Sequence, residues 1–254
     1  MMNDSDFPYV IEDETVGKST DKAQVESMLR LMAGYIQKNT SCLFYNYSTG
    51  EKFHDVSALD FVPEITMQSL LNDWKYWNGV NHMAFIELSE VLEDQYFSFY
   101  VKNNYDFFFK NIPYMQQMFD ARVEGAPGHQ FFRLDRLDDF GAMASGLFDI
   151  LDEDPKPVYK EYLQKVTDYI INKQDRLDDG TYCRNRFDYT SLWGDDLYMS
   201  VPFLVRAWKY YDDPGFLEDA ISQVFYFRRY LYSRYAGVYF HSRILQEEHP
   251  GVAI

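Results

Sequence analysis

Cysteine is nearly absent: Cys42 and Cys183 are the only two in 254 residues. They are too few for a disulfide framework, and neither has a second Cys or a His at metal-site spacing. Both are expected to be ordinary thiols, and neither a metal site nor a cofactor is expected. Long apolar runs are missing too. No stretch approaches the ~18 consecutive apolar residues of a membrane span, and the first residues, Met1 to Phe7, lack the basic and apolar segments of a signal peptide. A cytoplasmic location is the expectation. Basic residues are scarce, with 24 Lys+Arg against 40 Asp+Glu and a net charge of −16. Such a field repels the phosphates of nucleic acid and the anionic headgroups of lipids, so neither nucleic acid nor a membrane is expected as a partner.

Aromatic side chains, by contrast, are abundant: 22 Tyr, 21 Phe and 4 Trp make up 19% of the chain. Aromatic rings bury large areas in a core and also stack on the apolar faces of sugars, so composition leaves both uses open. A chain of this length is within reach of one hydrophobic core. We expect an acidic, aperiodic N-terminal tail over residues 1–20 and a single domain over 21–254.

Apolar periodicity predicts an all-α fold. Val25, Met28, Leu29, Met32 and Ile36 follow the i, i+3, i+4 spacing of a helix, with Thr20 as its N-cap. Similar stripes run over Val80–Val91 and Tyr96–Phe109, and the Gly125-Ala-Pro-Gly128 stretch breaks the chain. Leu137 to Leu151 reads as a helix carrying the small residues Gly141 and Ser145, which permit close approach of a neighbour, and Pro155 and Pro157 end it. Val158–Ile171, a segment from Leu197 to Trp208, and Phe216–Tyr232 follow. The procedure gives about seven or eight helices and no convincing strand. Gly180-Thr-Tyr182 and Gly237-Val-Tyr239 each follow the second helix of a pair, a weak repeat of the kind left by a ring of helical hairpins, whose loops converge on one pocket.

Two constellations carry chemistry. In Arg133-Leu-Asp135-Arg136-Leu-Asp138-Asp139-Phe140-Gly141, the three carboxylates share one face if the segment is helical. Such a face can hold Mg²⁺ on a diphosphate, and carboxylates at a helix start also serve as plain caps. In Leu192-Trp193-Gly194-Asp195-Asp196, followed by Leu197 to Leu204, Pro202 leaves Asp195 at or near a helix mouth, and Trp193 can form a stacking wall beside an acid. The bland alternative is a buried Trp with an N-capping Asp.

Together, Trp77-Asn78-Gly79-Val80, Leu137-Asp138-Asp139-Phe140-Gly141, the Gly180-Thr-Tyr182 turn, Trp193-Gly-Asp195-Asp196-Leu-Tyr-Met199, Pro202-Phe-Leu204 and His241 resemble the unsaturated glucuronyl and rhamnogalacturonyl hydrolases. These are glycoside hydrolase families 88 and 105, and the resemblance covers about residues 25 to 254. It implies an (α/α)6 barrel, or six-hairpin toroid. It also implies a glycosidase of polysaccharide degradation, which removes a 4,5-unsaturated uronic acid from lyase-generated oligosaccharides. In that family an aspartic acid protonates C4 of the double bond, water adds at C5, and the resulting hemiketal collapses to break the glycosidic linkage. By position Asp195 resembles the general acid/base and Asp138 the second essential carboxylate. Trp77, Asn78, Arg184, Arg186, Trp193 and His241 are the expected substrate-binding residues, the cations among them meeting the substrate's carboxylate against the global field. The family's pattern continues past His241 into a Trp-x-Arg-Gly-Asn-Gly-Trp motif and further helices. The chain is therefore expected to be C-terminally truncated, an incomplete ring whose open apolar edge invites self-association or a second chain. A non-catalytic or split-chain carbohydrate-binding or assembly partner is the alternative function.

Overall fold

The computed structural model describes residues 21–185 and 189–245. It separates into two compact units, residues 1–38 and 39–254. The first unit holds all but the last residue of α1 (Lys22–Asn39). The expected cap Thr20 lies outside the described residues; the Asp21 carboxylate accepts a hydrogen bond from the Ala23 amide at 3.0 Å, which ties down the first turn.

The second unit opens with a small antiparallel sheet of β1 (Phe44–Asn46), β2 (Lys52–Phe53) and β3 (Ile65–Met67), in the order β2-β1-β3. Then come α2 (Tyr76–Val91), α3 (Tyr96–Lys110), α4 (Ile112–Asp120), α5 (His129–Arg133), α6 (Gly141–Leu151) and α7 (Pro157–Asn172). β4 (Arg184–Asn185) and β5 (Thr190–Trp193) lead into α8 (Gly194–Tyr211), followed by α9 (Pro214–Leu231), β6 (Tyr232–Ser233), β7 (Val238–Tyr239) and β8 (Ser242–Leu245). The described residues therefore hold nine α-helices where about seven or eight were expected, because the short α4 and α5 present too few turns to show a period. They also hold eight strands where none was expected; at two to four residues each, these strands are too short for an alternating pattern.

The long helices place the site. α6 lies between α2 and α8, while α3, α7 and α9 pack against these three. Glycine allows the close approach. A Cβ at Gly79 would stand 2.4 Å from the Ala142 and Met143 backbone, and one at Gly141 would stand 2.1 Å from the Met199 carbonyl oxygen. A chain of helical hairpins laid side by side in this way is an arc of the (α/α)6 type, so the fold is all-α with small accessory sheets.

Many of the aromatic side chains are core, while others, such as Tyr35, Phe99 and Phe225, stay exposed. The fully buried Trp74 ring meets the rings of Tyr105, Phe108, Phe109, Phe131 and Tyr162 at centroid distances of 4.8 to 6.1 Å. The two repeated glycine turns fold alike. After α7, Gly180 takes φ +92° and Tyr182 pairs back with Arg176; after α9, Gly237 takes φ +67° and β7 pairs back with β6. Each turn then feeds a strand, β4 or β8, that flanks β5 in one sheet of order β4-β5-β8.

Candidate active site

Asp138 lies in a 3-10 turn, Leu137–Asp139, that enters α6. Two contacts fix this turn. The Trp74 indole N–H donates to the Asp139 carbonyl at 2.8 Å, and the buried Asp139 carboxylate accepts from Arg133 Nε at 3.0 Å and from the Asp135 amide at 2.8 Å. The chain before the turn is not helical: Leu134 adopts a left-handed backbone at φ 42°, and Arg136 is extended. The three carboxylates expected on one face therefore diverge. Asp135 pairs with Arg133 and Arg136, Asp139 with Arg133, and Asp138 with Arg184. The acidic face required for Mg²⁺ is not formed, and among the described residues no group of three or more His, Cys, Asp or Glu is arranged to hold a metal ion.

Asp195 is brought in by α8. The helix starts at Gly194 with Trp193 as the N-cap residue, so Asp195 and Asp196 occupy its first turn, at the positive end of the helix dipole. The start is pinned by a hydrogen bond from the Gly194 amide to the His241 carbonyl at 2.7 Å. Pro202 lies inside the helix rather than at its mouth. Ser191 and Ile244, and Trp193 and Ser242, are register partners, so β5 and β8 hold the Trp193 and His241 segments together. The His241 ring stands edge-on to Trp193 at 5.4 Å and 84°.

Arg184 joins the two constellations. Its Nε lies 2.8 Å from one oxygen of Asp196 and its Nη2 2.6 Å from the other; the same Nη2 is 3.1 Å from Asp138 and 3.8 Å from Asp195. Its guanidinium stands over the Trp193 ring at 5.1 Å. Carboxylates from separate hairpins thus meet around one nitrogen, beside an indole. Exposure is graded across the cluster, from 34% for the Asp195 side chain through 14% for Asp138 and 11% for Arg184 to 1% for Asp196. Asp195 is the member that solvent or a sugar reaches, although its Oδ1 is buried and has no hydrogen-bond partner among the described residues.

Burial raises the Asp138 carboxyl above its ordinary value; Arg184 opposes this shift and the charge of Asp195 adds to it. Burial likewise pushes Asp196 up to about 6, against the pull of Arg184. The guanidinium itself is raised: burial works against its charge, but the Asp196 hydrogen bonds and the surrounding carboxylates outweigh it. Such a cluster can hold, release and recover a proton next to a stacking surface, which is what general acid–base chemistry on a sugar needs.

The remaining expected residues separate. Arg184, expected to meet a substrate carboxylate, also binds carboxylates of the protein itself. Arg186 lies outside the described residues. Asn78 is buried and donates to the carbonyls of Leu70 and Asp73 at 2.7 and 2.9 Å, holding the loop that leads to Trp74. The half-exposed Trp77 ring touches only Tyr76 among the aromatic rings of the described residues. His241 is exposed beside Trp193. Asp196 was not singled out from the sequence. The signal was the doubled acid Asp195-Asp196: one of two adjacent carboxylates in a helix's first turn faces inward and needs its own cation.

Residues 51–253 match the profile of Glycosyl Hydrolase Family 88, and the chain belongs to that family. The fold is similar to that of a possible member of GH105 family from Klebsiella pneumoniae, with TM-score 0.59 at 13% identity over 92% of this chain and 55% of that one. It is also similar to a possible GH105 member from Salmonella enterica serovar Paratyphi A, with TM-score 0.58 at 15% identity over 93% of this chain and 56% of the other. The chain therefore spans a little over half the length of these structures. No curated protein matches it.

Proposed function

We propose that the protein is a glycoside hydrolase that removes a 4,5-unsaturated uronic acid from oligosaccharides left by polysaccharide lyases. The observation that carries this reading is the convergence of Asp138 and Asp195, from different hairpins, on the Arg184 Nη2 beside Trp193. Membership of Glycosyl Hydrolase Family 88 adds to it. Asp195, the more exposed of the two, delivers a proton to C4 of the substrate's double bond and helps water add at C5. The hemiketal so formed collapses and frees the sugar. Asp138 orients the ring, Trp193 stacks on it, and the exposed His241 approaches its carboxylate. Arg186 and Trp77 remain assigned to substrate on the resemblance alone.

The test is spectroscopic. The conjugated double bond absorbs, and its absorbance should fall when lyase-generated disaccharides meet the protein. Asp195→Asn should remove this signal while far-UV circular dichroism stays unchanged, because an amide can neither donate the proton nor recover it. A folded Asp195→Asn variant with wild-type turnover would move the acid elsewhere.

One feature favours a second reading, in which the chain binds carbohydrate or acts only in an assembly. α9 exposes Ile221, Val224 and Phe225 on a single face. Calorimetric binding of the unsaturated disaccharide without turnover, or turnover that needs a second polypeptide, would select this reading.

A further inference from the structure

Asp138, Asp195 and Asp196 surround a single guanidinium. Among the described residues, the other cations near Asp138 are already engaged: Arg136 by Asp135, and Arg133 by Asp139 and Asp135. Asp139, on Asp138's own turn, faces Arg133, and the nearby Cys183 thiol is neutral, burial pushing it up to about 12. Among the described residues, three negative groups and one positive group therefore share a mostly buried space. The positive charge is not evenly divided. Asp196 takes it with two short bonds of 2.8 and 2.6 Å, whereas Asp138 and Asp195 lie 3.1 and 3.8 Å from Nη2.

We infer that Asp196 is a positioning residue that sets how tightly Asp138 holds a proton: by engaging Arg184 in a two-pronged ion pair, it withholds that positive charge from the Asp138 and Asp195 pair. A carboxyl beside a free guanidinium gives up its proton easily, and one beside a neutralised guanidinium does not. The same pair holds the Arg184 guanidinium over the Trp193 ring, 5.1 Å from its centroid. For its meaning in catalysis the inference rests on the hydrolase reading, but the charge balance exists without substrate.

Two substitutions push in opposite directions. Asp196→Asn removes the negative partner and releases the charge of Arg184 toward Asp138; Arg184→Gln removes the positive charge altogether. Carboxyl-carbon NMR titration of the full chain, without substrate, should show the Asp138 midpoint falling by about one pH unit in the first variant and rising by about as much in the second. Asp196→Glu, which can keep the ion pair, should return it toward wild type. A merely structural pair would lower activity in both variants and leave the midpoint where it is. Folded variants whose Asp138 titrates as in wild type, or moves the same way in both, would overturn the inference. Should Asp196→Asn fail to fold, Arg184→Gln decides alone: a rise supports the inference, while no rise or a fall sinks it. Because the titration needs no turnover, a protein that releases no uronide still tests the inference. Turnover with an unmoved titration would preserve the enzyme and discard the role of Asp196.

Discussion

His82 on α2 is buried, with its ring against Tyr105 at 4.8 Å and near Tyr100 at 6.3 Å, and neither ring nitrogen has a hydrogen-bond partner among the described residues. Burial disfavours the charged imidazolium and lowers its pKa from 6.5 to about 3. The folded protein therefore binds fewer protons than the unfolded chain between those values. Its contribution is fully present above about pH 6.5 and is lost as pH falls toward 3, at a limiting slope of about 1.4 kcal/mol per pH unit. Urea unfolding midpoints measured from pH 7 to pH 4 should show this loss, and His82→Phe should flatten the dependence. Asp139 offers a second residue-scale test. Removing its carboxylate in Asp139→Ala leaves Arg133 with Asp135 alone and the Asp135 amide without its acceptor, and should cost about 2 kcal/mol, read as a lowered thermal midpoint.

Among the elements, the contact between α6 and α8 is the most exacting, because the Met199 carbonyl occupies the place a side chain would take at Gly141. Gly141→Ala must push the helices apart, with an expected cost of about 1–3 kcal/mol and a larger fractional loss of turnover than of substrate affinity, since Asp138 sits on the turn that enters one of these helices and Asp195 on the first turn of the other. Steady-state kinetics alongside thermal melts check both parts. Other long helices, α3 and α7, were legible in sequence because each is long enough for its apolar stripe to repeat: the Tyr96–Phe109 stripe is the helix Tyr96–Lys110, and Val158–Ile171 is the helix Pro157–Asn172. The site was legible only in part. Asp138 and Asp195 could be picked out because they sit in recognisable strings, and Gly180 and Gly237 because both turns need a left-handed backbone. Asp138 falls in a stretch that reads as helix because nothing local announces the kink at Leu134; the Trp74 bond that holds the turn comes from 65 residues away, and the Arg133 pair forms only once the chain has turned at Leu134. The engagement of Arg184 with Asp196 is likewise set by tertiary contact, which periodicity does not encode.

Over the whole molecule, a charge of −16 faces a proposed substrate that is itself anionic. If association is opposed by that field, raising salt should screen it and increase the apparent on-rate for the unsaturated disaccharide, measurable by stopped flow. A rate insensitive to salt would mean that cations at the mouth cancel the global field. Among the described residues, no helix is long and apolar enough to cross a membrane. The apolar face of α9 belongs to this scale as well: Phe225→Glu should abolish any self-association seen by sedimentation at micromolar concentration while leaving Asp195 and its neighbours untouched.

The bond from Trp74 to Asp139 has a use beyond holding a turn. Trp74 is fully enclosed, whereas Trp77 is half-exposed and Trp193 and Trp208 are partly so. In a protein keeping only Trp74, the indole should emit toward the blue and resist quenching by iodide for as long as its N–H stays docked on the Asp139 carbonyl. Loosening of the 3-10 turn at the entry to α6 would then appear as a red shift, giving an optical gauge of the footing of Asp138 that needs neither ligand nor turnover.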